Sequence, residues 1–126
     1  MQKPTVLPAQ PNRDPRPVDV ETMRVITARL LGENAELPSL KELDTMCLQL
    51  RGHLMLLIPE VSELASQRPP EDELRATTAA GIGEARRRLS ATQGYRLPVV
   101  LSYAQRLARS VDALCTHLEN LEACGE

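Results

Sequence analysis

A chain of 126 residues with a formal net charge of -2 carries one domain's worth of sequence and no basic excess, which excludes a general electrostatic pull toward nucleic acid or anionic membranes. It holds no Phe, no Trp and 2 Tyr, so a core must come from Leu, Val, Ile, Met and Ala, which pack helices better than sheets. The longest mostly apolar run, residues 54–58, is far short of the roughly 20 residues a membrane helix needs.

Residues 1–18 include Pro4, Pro8, Pro11, Pro15 and Pro17, half of the chain's 10 prolines, with little bulky apolar spacing. They read as a disordered Pro-rich tail ahead of a single helical domain over residues 19–126, a polyproline ligand being the alternative. A first helix is expected from Asp19 as N-cap, with Val20, Met23, Thr27 and Leu30 on one face and Gly32 as a left-handed stop. After a loop over residues 33–38, Ser39 and Glu42 form the S-x-x-E pattern of a capping box.

Leu40, Leu43, Cys47, Leu50, Leu54, Leu57, Val61 and Leu64 then alternate spacings of three and four, a coiled-coil-like seam. It runs through Pro59, which removes a backbone donor and clashes with the preceding turn, so a kinked helix or two helices meeting there are expected. Residues 54–58 are apolar on every helical face, which marks either an enclosed central helix or part of a dimer contact.

A third helix is expected from near Pro70, where Glu71, Asp72 and Glu73 suit the helix dipole, with Leu74, Thr78, Ile82, Ala85 and Leu89 inward. Gly81 and Gly83 point to a break or a close helix approach. The last helix begins around Pro98, its stripe running through Leu101, Ala104, Ala108, Val111, Cys115 and Leu118 and widened by Val100, Leu107, Leu114 and Leu121. No segment sustains strand alternation. The fold class is therefore all-α, an antiparallel bundle of about four helices.

Chemistry-bearing constellations are sparse. Cys115 and His117 are two apart on a helix and point to different faces, and Cys47 occupies a seam position, so no metal or other cofactor is expected. The three cysteines are odd in number and widely spaced, and no signal-like segment opens the sequence, so free thiols and a cytoplasmic setting are expected. His53 reads as a boundary histidine, with a proton-transfer or ligand-orienting role as the alternative. There is no nucleophile elbow and no phosphate loop, so an enzyme is unsupported. Arg86, Arg87 and Arg88 form the densest basic feature, next to a faint helix-turn-helix likeness that fails where Arg87 falls at a core position.

The segments L-R-G-H-L-M-L-L-I-P-E-V (residues 50–61), G-E-A-R-R-R-L (83–89) and Y-A-Q-R-L-A-R-S-V-D-A-L-C-T-H (103–117) resemble a family of small actinobacterial proteins of unknown function labelled "natural product biosynthesis protein". The resemblance covers roughly residues 20–121. It implies a setting in specialised metabolism and no particular reaction.

The expectation is a non-catalytic helical accessory protein that binds a protein partner or itself. Its interaction surface would combine Met55, Leu56 and Ile58 with Arg51, His53, Arg86, Arg87 and Arg88 at the rim. The alternatives are a small DNA-contacting regulator and a small-molecule-binding bundle or enzyme using His53. Nucleic acid is not the expected partner, and a small-molecule ligand stays open.

Overall fold

Three of the four helices begin where a side chain satisfies an orphan amide. In a computed structural model that describes residues 18–33 and 36–124, α1 spans Val20–Leu31, α2 Leu40–Ser66, α3 Glu73–Ser90 and α4 Leu97–Cys124. Asp19 caps α1 by accepting from the Thr22 amide at 3.2 Å. Ser39 and Glu42 close a reciprocal capping box on α2, at 3.1 and 2.8 Å. The third helix starts at Glu73 rather than near Pro70, because Asp72 is its cap. Asp72 accepts from the Arg75 amide and is held by Arg68 at 2.6 and 2.9 Å, which leaves Pro69 and Pro70 in the turn before it.

Two local expectations are corrected. Gly32 does not adopt a left-handed conformation; its φ is -70° and its ψ 154°, and its amide donates to the Ala28 carbonyl at 2.9 Å. Glycine is needed there because a Cβ would lie 2.7 Å from that carbonyl oxygen. Val18, assigned above to the tail, is buried at 1% exposure immediately before the Asp19 cap. With Met23, also buried, it occupies the two positions of a hydrophobic staple. Residues 1–17, the remainder of the expected Pro-rich tail, lie outside the described residues.

Helix α2 continues without interruption through Pro59. The proline costs about 3 kcal/mol in a helix interior, whereas each fully buried aliphatic side chain contributes roughly 1.5–3 kcal/mol. Leu50, Leu54, Leu57 and Val61, on both sides of it, are all at 0% exposure, so the seam outweighs the missing bond. Pro59 itself is exposed, where water can reach the carbonyl one turn back that it leaves unpaired.

The helices run up and down in sequence. Arg29 near the end of α1 pairs with Glu42 in the first turn of α2. Arg51 in mid-α2 reaches Leu89 near the end of α3 and Tyr103 early in α4. Arg68, beyond α2, lies near Cys124 at the end of α4. The most extensive packing is between the parallel pair α2 and α4, with α1 and α3 on opposite flanks and out of contact with each other. The cross-section is thus a rhombus whose short diagonal joins α2 and α4. Leu107, Leu114 and Leu118 of α4 are completely buried along that diagonal.

Gly81 permits the approach of α3 to α4 without breaking the helix. A Cβ there would stand 3.2 Å from the His117 ring and 3.5 Å from a Leu114 methyl. Gly81→Val should therefore lower the unfolding free energy by about 1–2 kcal/mol in urea titrations, because its branches enter filled space. Unchanged stability would mean that the His117 ring gives way freely.

Candidate functional site

The residues expected at a common surface separate once the bundle forms. Ile58 is 8% exposed and belongs to the core, since it turns toward the rest of the bundle while Met55 and Leu56 turn out. Arg51 is not a rim residue. Its guanidinium donates to the Leu89 carbonyl at 2.9 Å and to the Tyr103 hydroxyl at 2.6 Å, and that hydroxyl donates to the Arg88 carbonyl at 3.3 Å. The end of α3 is thus capped from α2 and α4 together.

The three neighbouring arginines divide in the same way. Arg88 is pinned to α4 by bonds to the Arg106 carbonyl and the buried Ser110 hydroxyl, each at 2.9 Å, and pairs with Glu84 at 3.0 Å. Arg87 is exposed and pairs with Glu84, and Arg86 is exposed. Arg88→Ala is expected to cost about 1–2 kcal/mol by chemical denaturation, whereas Arg86→Ala and Arg87→Ala should stay within about 0.5 kcal/mol. Equal effects at all three positions would contradict this division.

His53 and His117 are half-buried, and the Nδ1 of each is shielded from solvent without a hydrogen-bond partner. Burial lowers both pKa values below the ordinary 6.5. A lowered histidine pKa means that the unfolded chain takes up protons first. Its stabilising contribution is complete above pH 6.5 and is lost as the pH falls through the folded pKa. Stability should therefore decline as pH drops from neutrality toward 5, and the decline should shrink in a His53→Gln/His117→Gln variant followed by thermal melts. Cys47 and Cys115 are fully buried thiols pushed up to about 11 by desolvation, so neither supplies a thiolate at neutral pH. Among the described residues, no group of three His, Cys, Asp or Glu side chains could hold a metal ion.

What the fold assembles instead is an apolar surface on the outer side of α2. Leu48, Gly52, Met55, Leu56 and Pro59 recur at helical spacing, all exposed, with Leu48 at 72%, Met55 at 59% and Leu56 at 44%. From Leu48 to Pro59 the stripe is about 17 Å long. At its α2 N-terminal end it opens into a groove of about 490 Å³ lined by Leu40, Asp44, Leu48, Gln93, Tyr95 and Val100. Gln93 donates to Asp44 at 2.7 Å and ties the loop before α4 to α2. Gly94 makes the turn there with φ 85°, which leaves Tyr95 89% exposed.

Leu48, Gly52, Pro59 and Tyr95 were not among the residues expected at the interaction surface, because the reading of α2 followed its inward seam. The signal was present in the positions opposite that seam, where a surface helix normally carries charge. No helix among the described residues is long and apolar enough to cross a membrane, so this exposed apolar face is not part of a helical span. No curated protein and no solved structure matches the chain. The family of unknown function DUF6415 matches residues 21–123, from the first turn of α1 to the last turn of α4, and the chain belongs to that family.

Proposed function

We propose that the protein is a non-catalytic helical accessory protein that works by binding another polypeptide through the outer face of α2. The single observation that carries this reading is the stripe of Leu48, Gly52, Met55, Leu56 and Pro59, unpartnered within the chain and continuous with the Tyr95 groove. Its centre is apolar, and polar side chains at Lys41, Asp44 and Glu63 lie at the ends, a core-and-rim arrangement suited to protein recognition. Cytoplasmic specialised metabolism is the proposed setting, and that part rests on the resemblance of the segments at residues 50–61, 83–89 and 103–117.

A photo-crosslinking side chain placed at Met55 tests the reading against the same group at Arg109, exposed on α4. Protein adducts formed at residue 55 and absent at 109, with either a second copy or a different chain, are the expected result. Absence of adducts at residue 55 under native concentrations overturns it.

A second reading, contact with DNA, is favoured by one arrangement. The Arg88 bond to the Arg106 carbonyl ties the end of α3 to α4, and exposed Arg86 and Arg87 on α3 and Arg106 and Arg109 on α4 surround that tie in sequence. Salt-sensitive retention on DNA that is lost in an Arg86→Ala/Arg87→Ala variant would support it, and no retention at low salt removes it.

A further inference from the structure

The outer face of α2 can be folded about Gly52 so that leucine meets leucine and lysine meets glutamate. Leu48 and Leu56 stand four residues to either side, Thr45 and Pro59 seven, and Lys41 and Glu63 eleven, and all of them are exposed. Two helices that meet antiparallel across a two-fold axis level with residue 52 bring each position 52-n opposite 52+n of the partner. We infer that this face is the interface of an antiparallel α2–α2 homodimer with Gly52 at the axis, a deepening that rests on the interaction reading above.

The side chains along the middle of the face suit that arrangement. Leu48 of one copy comes opposite Leu56 of the second, twice over, while Met55 lies against the aliphatic stem of Gln49. Lys41, which makes no ion pair among the described residues, comes opposite the Glu63 carboxylate of the second copy, which accepts from Gln67 at 3.4 Å in its own chain. Asp44 and Glu60 face one another only at the outer edge of the contact. A parallel pair would instead set Lys41 against Lys41 and Glu63 against Glu63, which charge repulsion disfavours. Gly52 has its own rationale in this geometry. A Cβ at residue 52 would meet nothing within 4 Å in its own chain, and alanine would favour an exposed helix interior by about 1 kcal/mol. A glycine is accounted for where a second backbone must come close. Leu56 of the second copy, opposite Leu48, then lies at the mouth of the groove that Leu40, Leu48 and Tyr95 line, which extends the contact beyond a single helix face.

Three measurements on the full chain test the inference. Light scattering from micromolar to submillimolar concentration should show the mass rise from 13.9 kDa to twice that value, and a constant 13.9 kDa overturns it. Lys41→Glu and Glu63→Lys should each weaken the dimer about tenfold, and the double exchange should restore it, since it rebuilds both pairs with reversed sign. A dimer indifferent to both single changes overturns this face as the interface. Finally, Gly52→Cys in a Cys124→Ser background should form an intermolecular disulfide on mild oxidation, because cysteines at the axis come within bonding range while native Cys47 and Cys115 are buried. Arg109→Cys in the same background should not, and equal cross-linking at both positions counts against the axis. A protein that stays monomeric yet yields adducts from residue 55 with a different chain would overturn the homodimer and leave the interaction reading standing.

Discussion

Leu54→Ala and Leu57→Ala should each lower the unfolding free energy by about 3–4 kcal/mol, while Met55→Ser and Leu56→Ser should move it by no more than about 0.5 kcal/mol. All four lie in one apolar run, yet Leu54 and Leu57 are at 0% exposure and Met55 and Leu56 at 59% and 44%. Truncating either buried leucine loses its transfer free energy and opens a cavity between α2 and α4, where close packing resists collapse. The melting temperature should drop by about 10 °C or more for a domain of this length. Urea titrations at low protein concentration check this, because dilution keeps association out of the measured stability. A destabilised Met55→Ser at that dilution would place residue 55 in the core and remove the basis of the proposed interface.

Arg51→Met should cost about 2–3 kcal/mol, the largest effect expected outside the aliphatic core. Methionine keeps much of the arginine stem and removes the donors that reach the Leu89 carbonyl and the Tyr103 hydroxyl. The Leu89 carbonyl then loses its cap and the Tyr103 hydroxyl its charged partner, in a half-buried setting where water replaces them poorly. Amide hydrogen exchange should accelerate in the last turn of α3 before the rest of the molecule, and Arg51→Lys should recover part of the loss through a single donor. Full stability of Arg51→Met with unchanged exchange would mean that Arg51 is a free surface residue after all.

Most of the helical framework was legible in the sequence because it follows from local rules. The Asp19 cap, the Ser39 and Glu42 box and the seam from Leu43 to Val61 each depend on residues within a turn of one another, and the structure contains all of them. The stripe of α4 was equally clear, with Ala104, Ala108, Val111, Cys115 and Leu118 buried as their spacing requires. Of the two outcomes expected at Pro59, separate helices did not form, because the local penalty is outweighed by the tertiary burial of the seam on both sides. Gly32 was misread for a related reason, since a glycine after a helix fits either a left-handed cap or a close pass over the last carbonyls.

The candidate site was less legible because its parts are defined by what does not pack. Nothing in the spacing of residues 54–58 separates Ile58 from Leu56; only the positions of α3 and α4 around α2 decide which side chains stay wet. Arg51, Arg86, Arg87 and Arg88 look alike as charges in a sequence, yet two of them find carbonyls or hydroxyls on other helices, and those partners are 15 or more residues away along the chain.

By itself the sequence determined the helical class, the start of nearly every helix and the inward faces, because hydrophobic period and capping act over three or four residues. Only the tertiary structure decided that α2 and α4 form the short diagonal, that Arg51 closes the end of α3 and that the outer face of α2 is left without a partner. Those outcomes depend on which helices fill the space around each side chain, and burial is a property of neighbours that no single helix carries in its own sequence.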